Sequence, residues 1–146
     1  VWAPRAVSPL TDPLYGYRQV RPRRLRDWAV RLMRDLDREG PLRGVADRSV
    51  ERNDVRVHPA DYAAVAAAFT RYLRDEGRYQ YTLRLRRQDQ AIDPVEDFVF
   101  NTKEGHCERF AAALALMLRA VGVPAAYVVG YRGCDVEEGG PAGVYQ

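Results

Sequence analysis

Cys107 is the residue whose type and setting could do chemistry. It stands in "EGHCERF", two residues after Gly105, one after His106 and one before Glu108. A helical pattern begins there: Phe110, Leu114, Met117, Leu118 and Val121 fall at helical spacing, and Gly122 with Pro124 marks the end. The thiol therefore lies on the polar lip of a helix rather than on its apolar stripe. The first amides of a helix lack internal acceptors, and the aligned peptide dipoles put partial positive charge at that end. Both effects favour a thiolate, and cysteines so placed can titrate well below the ordinary value of about 8.5. The same amides can donate to a developing oxyanion. Gly105 is expected to leave room for a substrate chain to approach the sulfur. The plainer alternative is a small buried hydrophobe, which is what many free cysteines are.

Four neighbours bear on the choice. His106 adjoins the thiol but projects in another direction, so it reads as a helix-start or substrate-side residue. Glu108 complements the helix N-terminus while its charge opposes a thiolate. Tyr81 lies on a strand expected to face the helix, as a donor near the site or as a core tyrosine. His58, in the polar loop before an earlier helix, reads as a solvated or turn histidine. With two cysteines and two histidines, no spacing fits a zinc pattern, and neither a metal nor a cofactor is expected. A bridge from Cys107 to Cys134 would need an oxidising compartment, and disulfide-dependent domains of this size carry more cysteines.

The elements that must hold these residues follow from pattern. At 146 residues, 47% hydrophobic and 29% charged, the chain is one globular domain or a little more. A first helix starts at Pro22, with Leu25, Trp28, Ala29, Leu32, Met33 and Leu36 on one face and Gly40-Pro41 ending it. A second starts near Pro59 or Asp61, with Tyr62, Val65, Ala66, Phe69, Tyr72 and Leu73 as its stripe and Gly77 as its stop. Tyr79, Tyr81, Leu83 and Leu85 alternate with polar residues as a strand with one buried face. The chain turns at Asp93-Pro94 and returns apolar through Val95, Phe98 and Phe100. After the cysteine helix, "AAYVVGY" reads as an apolar strand. This order points to an α+β fold, with a helical lead-in and loop over 1–57 and a core over 58–146.

Composition narrows the partners. The net charge is +3, nearly all the basic residues are arginine, and Lys103 is the one lysine, as a GC-rich genome would give. Arg23, Arg24, Arg26, Arg31, Arg34 and Arg38 alternate with Asp27, Asp35 and Asp37 on the first helix, a solvated mixed-sign face rather than a nucleic-acid surface. No apolar run reaches the roughly 20 residues that span a bilayer, so this segment is expected to make no membrane contact. Both ends read as cut, and a longer parent chain is expected.

The run "GHCERFAAALALMLRAVGVPAAYVVGY" resembles the core motif of bacterial transglutaminase-like domains. Gly105, Cys107, Phe110, Ala111, Leu118, Arg119, Gly122, Pro124, Gly130 and Tyr131 fall in register, and "YLRDEGRYQYTL" and "DPVEDFVF" resemble the approach to the cysteine. Where many members carry arginine after the Pro-Ala, this chain has Ala126. The resemblance spans about residues 60–133. It implies a transglutaminase-core, cysteine-proteinase-like fold, with helices packed on an antiparallel sheet. Cys107 would form a thioester with a protein or peptide carboxamide, and a histidine with a carboxylate partner would serve as base. In the family those two follow the Gly-Tyr strand, so they and the C-terminal strands are expected beyond Gln146. Water in place of an amine would make a peptidase or amidase, and loss of chemistry would leave a binding module. The resemblance also implies a periplasmic side and a membrane-anchored parent, while the residues alone leave a cytoplasmic setting open.

Overall fold

A computed structural model describes residues 22–45, 50–51, 54–75, 77–84 and 86–128. The elements in chain order are α1 (Arg23–Glu39), β1 (Val50–Glu51), β2 (Asp54–Val55), a 3-10 turn (Pro59–Asp61), α2 (Tyr62–Arg74), β3 (Gln80–Tyr81), α3 (Pro94–Asp97), a π-helical turn (Phe98–Thr102), β4 (Glu104–Gly105) and α4 (Cys107–Ala120).

The three long helices form where apolar periodicity places them. Leu25, Ala29, Leu32 and Met33 of α1 are buried, as are Val65, Ala68, Phe69 and Leu73 of α2. Both helices pack against α4, whose Ala113, Met117, Leu118 and Ala120 complete the core. The alanines matter because small side chains let neighbouring helix axes approach closely. α4 ends in a Schellman arrangement: the Val123 amide donates to the Leu118 carbonyl at 2.9 Å and Gly122 to Arg119 at 3.0 Å. Gly122 takes φ +80°, which an L side chain resists.

Three expectations change on contact with the structure. The strand over 79–85 reduces to β3, and only Tyr79 of its stripe is even half-buried; Leu83 is 79% exposed and Leu85 lies outside the described residues. Aromatic rings meet Tyr79 and one side of Tyr81, but the stripe is open by Leu83, so alternation did not translate into burial. The "AAYVVGY" segment forms no strand over 125–128, and 129–131 lie outside the described residues. There Ala125 is tied to α4 instead, its carbonyl accepting from Arg119 Nε at 2.7 Å. The stretch after Asp93-Pro94 is helical, because aspartate at the cap and proline at the first helical position start a helix as readily as a turn.

The described residues are mostly helical, with two short strand pairs. β1 and β2 pair antiparallel. β3 and β4, which lead to the cysteine, pair in parallel, with Gln80 opposite Glu104 and Tyr81 opposite Gly105. The expected antiparallel sheet under the helices is not seen among the described residues.

Candidate active site at the start of helix α4

β3 and β4 deliver the chain to α4. The Gln80 amide donates to the Lys103 carbonyl at 2.8 Å and the Thr82 amide to Gly105 at 2.9 Å. Lys103 turns the chain with φ +53°, and two residues later Gly105 is buried under the first turn of α4. A Cβ at Gly105 would lie 2.9 Å from Arg109 Cβ and Cγ and 3.3 Å from Phe98 Cδ2. The glycine thus lets β4, α4 and Phe98 come together. That is a packing reason, different from the substrate access expected above.

Cys107 is the first helical residue of α4, a free and exposed thiol. His106 is its N-cap: the Glu108 amide donates to His106 Nδ1 at 3.3 Å. The next two amides, of Arg109 and Phe110, donate to the His106 carbonyl at 3.0 and 3.4 Å. The Cys107 amide has no acceptor among the described residues. One donor is left open in this turn, and it belongs to the cysteine.

Around the thiol the surface is aromatic. Phe110, one turn along α4, meets Phe98 edge-on at 5.0 Å between centroids and stacks on Tyr81 at 6.5 Å and 27°. Tyr81 is 59% exposed, so it is not a core tyrosine, and its ring meets α4 through Phe110. Tyr127 comes in from the segment after α4. Desolvation, then the charges of Glu108 and Cys107, raise its phenol above the ordinary value. Tyr79, below Tyr81, is raised mainly by burial, and its hydroxyl donates to the Val99 carbonyl at 3.2 Å.

Asp97 is the residue that pattern reading passed over. It is 1% exposed. Its carboxylate accepts from the Gln88 and Asp89 amides at 2.9 and 3.1 Å and from Asn101 Nδ2 at 2.9 Å. Burial acts to raise its pKa, but the Asn101, Gln88 and Asp89 bonds and the Arg87 charge outweigh it and hold the carboxyl below 3.8. Arg87 in turn donates to the carbonyls of Asp89 and Ile92 at 3.1 and 2.6 Å. This network folds 86–93 onto the π turn beside β4. An open cleft of about 300 Å³ lies there, lined by Arg86, Arg87, Gln88, Asn101, Thr102 and Glu104.

Neither histidine is placed to serve Cys107 as a base. His106 spends Nδ1 on the cap. His58 caps the 3-10 turn through Ala60 at 3.3 Å, and its neighbour Val57 bonds to Val121 at 3.0 Å, beyond the far end of α4. With 14 residues in α4, that end is about 20 Å from the thiol. Among the described residues no group of three His, Cys, Asp or Glu could hold a metal ion.

The short strand β4 thus ends on a buried glycine and runs into a core helix that starts on an exposed cysteine. The family model described as the transglutaminase-like superfamily matches residues 49–140, and the chain belongs to that superfamily. It is 38% identical over 90 residues to a protein-glutamine gamma-glutamyltransferase of Pseudomonas aeruginosa, covering 62% of this chain and 12% of the relative. It is 42% identical over 48 residues to the uncharacterized protein YebA of Bacillus subtilis, covering 33% of this chain and 6% of the relative. The chain thus spans a small part of either protein's length. No solved structure matches it significantly. Among the described residues no helix is long and apolar enough to cross a membrane.

Proposed function

We propose that this chain carries the nucleophile-bearing part of a transglutaminase-like acyltransferase acting on glutamine carboxamides of proteins or peptides. The observation that supports this most is Cys107 itself: an exposed thiol at the first position of α4, beside its own amide, which has no acceptor among the described residues. The sulfur attacks the carboxamide carbon, and the Cys107 N–H takes the oxyanion of the tetrahedral species. Collapse expels ammonia, protonated by the base, and leaves a thioester. A primary amine then attacks that thioester and releases the thiol. We place the histidine base, its carboxylate partner and the further strands of an antiparallel sheet outside the described residues. In this reading 58–146 is core, and α1 of the 1–57 lead-in braces α4 from behind. Tyr81, Phe110 and Tyr127 line the approach.

The test is to incubate the protein with a glutamine-containing peptide and a labelled primary amine. The label is expected to enter the peptide with release of ammonia, and Cys107→Ser is expected to lower the rate at least about a thousandfold. Ammonia release without label would instead make the protein an amidase or peptidase that uses water. No turnover, with a thiol that alkylates no faster than free cysteine, would leave a binding module.

A further inference from the structure

An imidazole is an unusual N-cap, since helix starts favour Asn, Asp, Ser and Thr. His106 nevertheless fills that role with a side chain only 16% exposed. Its Nδ1 accepts from the Glu108 amide, which places the proton of the neutral ring on Nε2. Nε2 faces the Glu108 carboxylate at 3.9 Å. An aspartate here would cap equally well but would set a full negative charge one residue from a sulfur that must become an anion.

We infer that His106 is a positioning residue for Cys107: a cap without negative charge that orders the first turn of α4 and draws the Glu108 carboxylate towards its own Nε2–H. The inference rests on the acyl-transfer reading, because only a nucleophilic thiol needs that protection. Three consequences follow from the bonding. The cap ties up the Glu108 amide and leaves the Cys107 amide as the open donor. It operates only while the ring is neutral, because an imidazolium has no acceptor at Nδ1. It also acts at a site where other negative charge is already present. That charge is Glu108, on the same turn; the phenol of Tyr127, in the segment after α4, is raised by desolvation and then by the charges of Glu108 and Cys107, and is uncharged at neutral pH. Tyr81 and Tyr79 approach from β3 and the turn before it, through Phe110.

The experiment separates cap from charge with three substitutions in the protein, reading the rate of Cys107 alkylation by iodoacetamide against pH alongside the melting temperature. His106→Asn keeps a neutral acceptor and is expected to stay within about twofold of the unsubstituted protein in rate. His106→Asp keeps the cap and the melting temperature, but one added charge near an exposed thiolate is expected to slow alkylation at neutral pH about fivefold and displace the curve to higher pH. His106→Ala, with no cap, is expected to melt lower. A His106→Asp protein that alkylates like the unsubstituted one overturns the inference, as does a His106→Asn protein that melts as low as His106→Ala. Alkylation needs neither base nor amine, so the two readings fail separately. A series with no order overturns the role of His106 and leaves amine incorporation standing. An ordered series in a protein that incorporates no amine overturns acyl transfer alone.

Discussion

Two helices of this protein start within 13 residues of one another and treat their first amides in opposite ways. At α3, Asp93 Oδ1 accepts from Val95 at 2.8 Å and from Glu96 at 3.4 Å, and the Asp97 amide reaches the Asp93 carbonyl at 2.9 Å. The remaining first-turn position is Pro94, which has no N–H to offer. Every donor is absent or used, and the start is closed. At α4 the cap is an imidazole nitrogen, and the first position is a cysteine whose amide has no acceptor among the described residues. The same local rules thus build one start for holding the chain and another that presents an exposed thiol. The closed start is also a support. Glu96, one turn into α3, accepts from the Leu25 amide at 3.1 Å and so caps α1 across 71 residues of sequence.

Phe98 is where the two starts meet, and removing it is expected to have the largest effect. It follows α3 directly, is 2% exposed, and packs on Tyr79, Phe110 and the space above Gly105. Phe98→Ala is expected to lower stability by about 3–5 kcal/mol in a denaturant titration, by lost burial plus the cavity left behind. Because Phe98 packs directly on Phe110 and beside Gly105, the variant should also make the Cys107 thiol alkylate like a cysteine in an unfolded chain. A loss below 1 kcal/mol would mean that the aromatic seam carries no weight between them.

Asp97 comes next. In Asp97→Asn one oxygen becomes an N–H₂ facing amides that also donate, and the cost is expected at about 2 kcal/mol. The pH dependence has a definite direction. The folded-state pKa lies below the free value of 3.8, so the folded state binds fewer protons. The stabilisation is complete above that value and is lost as pH falls through the lower folded one. Unsubstituted and Asp97→Asn proteins should therefore differ most at neutral pH and converge in strong acid. A gap that stays constant down to pH 2 would show that the carboxylate charge is not what holds 86–93.

How much of this was legible in the sequence depends on how local each cause is. α1, α2 and α4 were readable because periodicity is a property of a dozen adjacent residues, and Leu25, Phe69 and Met117 lie where it puts them. Cys107 at a helix start was readable for the same reason. Tyr81 and Leu83 were misread because alternation reports two-sidedness and not whether anything covers a side. The packing reason for Gly105 was not legible, since Arg109 and Phe98 reach it only once α4 has folded back over β4. Asp97 gave little signal: Asn101 is a local partner four residues on, but 88 and 89 become partners only through a loop closure that pattern cannot show. His106 was legible as a helix-start residue, but imidazole is rare enough as a cap that its bond to the Glu108 amide was not.

The smallest effect sharpens the comparison most. Asp93→Ala removes the carboxylate that closes α3 and is expected to cost about 1 kcal/mol. Pro94 still presets the first helical φ, and the π turn still anchors the far end, through the Lys103 amide on the Phe98 carbonyl at 2.9 Å. The helix should therefore loosen without melting. Because α3 is built to hold the chain, that loss should appear in the melting temperature and leave the Cys107 alkylation rate unchanged. The charge substitution at His106 should do the reverse. If Asp93→Ala moved the thiol's reactivity as much as it moved the melting temperature, the two starts would be one cooperative unit. The division between a closed support and an open site would then be wrong.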